Sequence, residues 1–209
     1  MGKVHIFDHP LIRHKISYLR DKNTPCSQFR TVVKELALLM AYEVTNDLET
    51  YPIDIETPIA TAHCERVEED KIVIVPILRA GLGMVEGFQT LLPEAKVGHI
   101  GMARDEETHI PEAYYYKMPK GIEEAICIVV DPMLATGGSA KDAVDFLKKS
   151  GAKNIKFVGL LAADQGIKTL QESHPDVDIY IAQRDAILND DAYIVPGLGD
   201  AGDRIFGTL

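Results

Sequence analysis

At 209 residues and 46% hydrophobic composition, the chain has the length of one domain with a sizeable core. Its formal net charge of −10 argues against general affinity for nucleic acid or anionic membranes. No apolar stretch approaches the roughly 20 residues that cross a bilayer, the N-terminus lacks a signal-peptide pattern, and Cys26, Cys64 and Cys127 lack paired spacing, so a soluble cytoplasmic chain is expected.

In chain order, residues 1–50 read as an N-terminal helical region. From Phe29 to Leu48, the positions Val32, Val33, Leu36, Leu39, Met40 and Glu43 recur at near-helical spacing and predict a long amphipathic helix for the core or a subunit contact. Pro52 and Pro58 mark the passage into strands. His63-Cys64 is a metal-like pair without a matching second pair, and reads as ordinary strand. An apolar strand from Ile72 to Ile77 ends in Arg79-Ala80-Gly81, a guanidinium beside backbone donors that can hold a diphosphate or simply face solvent. A short strand around Val97 to Ile100 leads into the polar stretch 101–118 with Tyr114, Tyr115 and Tyr116. That stretch suits either a cover that closes over a charged intermediate or a surface hairpin.

Ile126 to Val130 are apolar without alternation, as in a strand buried on both faces under crossover helices. Asp131 falls at the carboxyl end of this strand, where open α/β sheets bind ligands. Pro132, Met133, Leu134, Ala135, Thr136, Gly137, Gly138 and Ser139 then form a loop of small residues. Ala140, Ala143, Val144 and Leu147 follow one helix face, Gly151 marks its end, and the apolar run Ile155 to Leu161 completes a βαβ unit. Two glycines allow backbone N–H groups close to an anion, and two hydroxyls add donors at a helix N-terminus. A Thr-Gly-Gly-Ser turn alone would be unremarkable; the buried strand and its terminal acid favour a phosphate cradle. Near the C-terminus, Tyr193-Ile194-Val195-Pro196-Gly197-Leu198-Gly199-Asp200-Ala201 makes a tight loop whose backbone is free to face a ligand or an oligomer contact. Cys127 reads as a small core residue.

The run Val130-Asp131-Pro132-Met133-Leu134-Ala135-Thr136-Gly137-Gly138-Ser139 resembles the phosphoribosyl-diphosphate signature of the type I phosphoribosyltransferases, and its Asp-Pro form resembles the uracil phosphoribosyltransferase branch. The resemblance extends from Asp8-His9-Pro10-Leu11-Ile12 to Arg204-Ile205-Phe206-Gly207-Thr208. It implies an α/β fold: a mainly parallel sheet flanked by helices, one domain over 1–209, a flexible hood at 101–118 and a base-binding loop within 190–209. It implies transfer of phosphoribosyl from 5-phospho-α-D-ribose 1-diphosphate (PRPP) to N1 of uracil, giving uridine monophosphate (UMP). In that family Arg79 and Arg104 would reach the diphosphate and Asp131 the ribose hydroxyls. Residues 135–139 would cradle the 5-phosphate, with Pro132, Met133 and Leu134 in the same PRPP-binding run. Tyr193, Ile194, Gly199, Asp200 and Ala201 would read uracil, Asp200 also facing PRPP and being the nearest candidate base.

Mg²⁺ would arrive chiefly on the diphosphate, consistent with Pro132 replacing a second acid. Homo-oligomers and a guanosine triphosphate (GTP) effector belong to the same expectation, with no nucleic-acid or membrane partner. Two alternatives remain: a pyrimidine-responsive RNA-binding regulator on this fold, and a phosphoribosyltransferase for another base. One departure stands out. After Ala163 the family usually carries Pro-Glu-Gly, whereas Asp164-Gln165-Gly166 predicts a more flexible turn.

Overall fold

Three largely apolar strands form the centre of a parallel sheet, with helices on both faces. The computed structural model describes residues 2–104 and 111–208, with residues 103, 104 and 111–113 described through their backbone alone. The chain begins with β1 (Val4–Ile6), α1 (Pro10–Arg20) and α2 (Cys26–Val44). A separate hairpin, β2 (Thr50–Glu56) and β3 (Thr61–Val67), precedes β4 (Ile72–Leu78) and α3 (Leu82–Leu91). β5 (Lys96–Val97), β6 (His99–Arg104), β7 (Pro111–Lys117), β8 (Ile126–Val130) and β9 (Met133–Leu134) come next. The chain continues through α4 (Gly138–Lys149), β10 (Asn154–Ala162), α5 (Asp164–Ser173) and β11 (Asp178–Arg184). β12 (Ile187–Leu188), β13 (Ile194–Val195) and α6 (Ala201–Phe206) complete it.

The main sheet runs β1-β11-β10-β8-β4-β6-β7, parallel except for the last pair. Successive side chains of a strand point to opposite faces. Ile72, Ile74, Ile128, Val130, Val158 and Leu160 accordingly join α1, α2 and α3 in one buried cluster. Val73, Val75, Cys127, Val129 and Phe157 join α4 and α5 in the other. Each fully buried Val, Ile, Leu or Phe contributes about 1.5–3 kcal/mol, so this double covering is what holds β8, and hence Asp131, in place. Burial pushes the Cys127 thiol up to about 12, which leaves it an inert core group.

Several expectations shift. The long helix spans Cys26–Val44 rather than Phe29 to Leu48: Pro25 precedes its first residue, and the Thr45 hydroxyl bonds the Ala41 carbonyl as the helix ends. Val44 faces the core, whereas Glu43 is exposed. The N-terminal region is not purely helical, because β1 adds a parallel edge to β11 (Val4 beside Ile179). Pro52 lies within β2 rather than before it; in a two-stranded sheet a missing N–H can face the open edge. His63 pairs across that hairpin with Asp54, Nδ1 to Oδ1 2.6 Å, and His63-Cys64 are strand residues. The strand expected around Val97 to Ile100 divides into β5 and β6 at Gly98, whose N–H donates to the Ile74 carbonyl.

The turn expected to be flexible at Asp164 is the opening of α5. Its carboxylate receives two bonds from Arg184, Nη2 to Oδ2 at 2.7 Å and Nε to Oδ1, and lies at the positive end of the helix dipole. The Arg184 guanidinium holds the Asp164 carboxyl below the usual carboxylate range.

Candidate active site

The loop that leaves β8, joined by Ala80 after β4 and by residues 192–194 and 199–202, builds two adjoining cavities. The first, about 300 Å³, is lined by Asp131, residues 133–140 and Ala192. Asp131 is anchored through its N–H to the Val158 carbonyl, 3.1 Å, while its Oδ1 accepts from the Met133 N–H at 3.2 Å. Burial raises its carboxyl to about 7, partly countered by that backbone bond. The Pro132 carbonyl accepts from Leu160 and Leu161 N–H at 3.0 and 2.9 Å, and β9 pairs with the end of β10. Pro132 is therefore buried and faces neither cavity, unlike the rest of the expected run.

Gly137 precedes α4 with φ +85°, a left-handed conformation that glycine adopts without steric cost. A Cβ there would lie 2.8 Å from both the Gly166 carbonyl oxygen and Thr169 Cβ, and one on Gly166 would strike the Leu134 and Ala135 carbonyls. The start of α5 is thus the floor of the cradle. Gly138 N–H reaches the Thr136 hydroxyl weakly at 3.5 Å. The first N–H groups of an α-helix have no acceptor within the helix and are available to an anion.

The second cavity, about 240 Å³, shares Asp131, Met133, Ala135 and Ala192 with the first and adds Ala80, Tyr193, Ile194 and residues 199–202. Every residue expected to read the base therefore lines one space: Tyr193, Ile194, Gly199, Asp200 and Ala201. Asp200 caps α6, its Oδ1 accepting from Asp203 N–H at 2.9 Å, so one of its oxygens is already engaged. Ala80, Ala192 and Gly202 escaped the sequence reading as lining residues. Ala80 lies inside the motif at Arg79, but nothing in the local sequence marks Ala192, which adopts φ +63° where Asn189 closes a turn through Tyr193.

Arg79 lines neither cavity. Its Nη2 lies 3.1 Å from Asp203 and its Nη1 3.4 Å from the Thr208 hydroxyl, and the side chain is half exposed. Ala80, next in sequence, and Gly202, to which Arg79 Nη2 is adjacent, do line the second cavity. Gly81 does not offer the free backbone donor expected: its N–H bonds the Ile77 carbonyl at 3.0 Å in the turn into α3, where a Cβ would meet Ile77 at 2.8 Å. Arg104 ends β6, and its side chain lies outside the described residues, as does residue range 105–110 of the expected hood. In the described part of that stretch, β6 and β7 form a hairpin. Tyr114 and Tyr115 are exposed, and the Tyr116 hydroxyl bonds Ser150 Oγ at 2.5 Å.

Among the described residues no three His, Cys, Asp or Glu side chains converge as a metal cage. One carboxylate beside an anion cradle fits a hard cation that keeps phosphate oxygens and waters as its other ligands.

Residues 6–208 match the family model described as uracil phosphoribosyltransferase. A uracil phosphoribosyltransferase of Finegoldia magna is 61% identical over 208 residues, covering all of both chains. A protein of Aquifex aeolicus of known structure superposes with a TM-score of 0.92 at 38% identity, over 97% of each chain. The adenine phosphoribosyltransferase of Trypanosoma brucei shares the fold, with a TM-score of 0.60 at 12% identity over 96% of this chain and 89% of that one.

Proposed function

The chain belongs to the uracil phosphoribosyltransferase family, and from that premise we propose that it transfers the 5-phosphoribosyl group of PRPP to N1 of uracil, forming UMP and diphosphate. The observation that carries this reading is the pair of cavities joined at Asp131, Met133, Ala135 and Ala192. One offers helix N–H and hydroxyl donors, as a phosphate requires. The other offers a glycine-rich backbone, as a flat base with alternating acceptors and a donor requires. A site that leaves mismatched polar groups buried can discriminate by about 10⁴–10⁵-fold, which would suffice to refuse cytosine.

In this mechanism the 5-phosphate sits in the cradle of residues 135–139, on the α4 N-terminus. Asp131, ionised, accepts hydrogen bonds from the ribose hydroxyls and holds the sugar so that C1 faces the base cavity. Uracil lies against Ile194, Tyr193 and the Gly199-Asp200-Ala201 backbone. As the C1–oxygen bond breaks, the electron pair departs with diphosphate, positive charge grows on the ribose, and N1 of uracil forms the new bond while losing its proton. Arg79 and Arg104 stabilise the leaving diphosphate, the kind of electrostatic contribution that usually dominates. For Arg79 this entails exchanging Asp203 for the diphosphate. Mg²⁺, bound with PRPP near Asp131, would supply further charge neutralisation on the diphosphate. Asp200, which lines the base cavity, is the candidate carboxylate for the N1 proton.

We propose a cytoplasmic location on the family resemblance. Among the described residues no helix is long and apolar enough to cross a membrane. We also propose a homo-oligomer and a GTP effector, the latter resting on family resemblance alone. Added GTP should raise the velocity at subsaturating PRPP, and an unchanged velocity would remove it. The residue assignments are tested by Asp131→Asn with PRPP, Mg²⁺ and uracil. Turnover should fall with the fold intact, and unchanged kinetics would remove the role assigned to Asp131.

A further inference from the structure

The base loop is held from behind by two arginines that the reaction itself does not use. Asp185, at the end of β11, has a side chain only 6% exposed. Its N–H donates to the Ala162 carbonyl, and its carboxylate accepts two bonds from Arg20 at the C-terminus of α1, Nη2 to Oδ1 2.7 Å and Nη1 to Oδ2 2.8 Å. Both partners then grip one peptide unit on each side. Gly197 N–H donates to Asp185 Oδ2 at 3.1 Å, and Arg20 Nη1 donates to the Gly197 carbonyl at 2.8 Å.

The next carbonyl, of Leu198, accepts from Arg204 Nη1 at 2.8 Å. Arg204 also donates from Nη1 to the Leu19 carbonyl and from Nη2 to the Asp21 carbonyl, and its guanidinium lies 4.3 Å from the Phe29 ring centroid. Gly197 has φ +59° and its α-carbon is curled against the Ile194 carbonyl. The backbone of residues 197 and 198 is thereby turned away from the cavity, while Ile194 before it and Gly199 to Ala201 after it line that cavity.

We propose that Arg20, Asp185 and Arg204 are positioning residues for base recognition: they fix the orientation of the Gly197 and Leu198 peptides and so aim the Ile194 and Gly199 to Ala201 backbone at the base. A buried, bidentate Arg–carboxylate pair is an expensive way to gain stability, since hydrophobic residues in its place are often as stable or more so. Its planar, two-point geometry does define orientation. A displacement of about 1 Å at a reacting ligand can cost about 10²-fold, and loosening this clasp should act on the base and spare the phosphate cradle, which β10, α4 and α5 support independently.

The inference rests on the uracil-transfer reading, and the experiment separates the two. Wild-type protein is first assayed for UMP formation; absence of UMP would defeat that reading before any variant is considered. Asp185→Asn, Arg20→Lys, Arg204→Met and the double replacement Arg20→Met with Asp185→Leu are then compared for the KM of uracil, the KM of PRPP, the uracil-to-cytosine preference and the melting temperature. The expected result is a uracil KM raised about tenfold or more in Asp185→Asn and Arg204→Met, with the PRPP KM within about twofold. Arg20→Lys should be intermediate, and the double replacement should fold as well as wild type yet remain impaired toward uracil. If Asp185→Asn does not fold, Arg20→Lys and the double replacement carry the test. Equal rises in both KM values, or an unchanged uracil KM in folded variants, would overturn the proposal and leave the clasp as a structural tie.

Discussion

Asp131 combines two properties that pull against each other. Burial favours its neutral form and raises its carboxyl to about 7, whereas accepting bonds from ribose hydroxyls calls for the charged form. Because the unfolded chain would release this proton near the ordinary carboxylate value of about 3.9, the folded protein binds more protons between these limits. The stability contributed by Asp131 is therefore complete at low pH and is lost as pH rises through about 7. In the absence of substrates, Asp131→Asn should flatten that part of the melting-temperature profile, and an unchanged profile would mean that another group sets it.

Activity should show the opposite sign, kcat/KM for PRPP falling below about pH 7 as the carboxylate protonates, with the asparagine variant lacking this limb. Its turnover should drop about 10–100-fold, the equivalent of one charge-assisted hydrogen bond at about 1.5–3 kcal/mol. Asp131 was legible in the sequence because an acid directly after five apolar residues has one natural place, the end of a buried strand. Arg79 was legible as a cation at a strand end, but its pairing with Asp203 was not, since 124 residues separate them.

Among the elements, the phosphate loop is shaped as much by α5 as by α4. Gly166 packs against the Leu134 and Ala135 carbonyls, and a Cβ would lie 2.6 Å from the latter. Gly166→Ala should therefore push the cradle outward. Overpacking of this kind costs about 1–3 kcal/mol, and the PRPP KM should rise several-fold while the uracil KM changes less. Equal effects on both would place the disturbance elsewhere.

The departure at Asp164-Gln165 spares this contact: the Asp164 pair with Arg184 opens the helix where the family usually has proline, and Gly166 keeps its position. Strands β4, β8 and β10 were readable because sequences buried on both faces lose their alternation. β1, β9, β12 and β13 were not, being two or three residues long and held by the ladders of their neighbours rather than by any pattern of their own. The base loop was readable as irregular, whereas its fixation by Arg20 and Asp185 depends on partners 165 residues apart in sequence.

Across the whole molecule, the hairpin β2–β3 stands apart as its own two-stranded sheet, with Ile59 at its tip 96% exposed. An isolated hairpin is marginal in water, and in the proposed homo-oligomer a second copy of the chain would support it. Replacing residues 51–66 by a short glycine linker should shift the sedimentation of the protein toward the monomer. A wild-type protein that already sediments as a monomer would contradict the proposed homo-oligomer.

If the two cavities joined at Asp131 serve as proposed, they unite PRPP with uracil in preference to other bases. One mixed-substrate reaction decides this: purified protein, Mg²⁺ and PRPP with equal uracil, cytosine, hypoxanthine and orotate, the nucleotides being resolved by chromatography. UMP is the expected product. A different nucleotide, or no nucleotide at all with or without GTP, would contradict it.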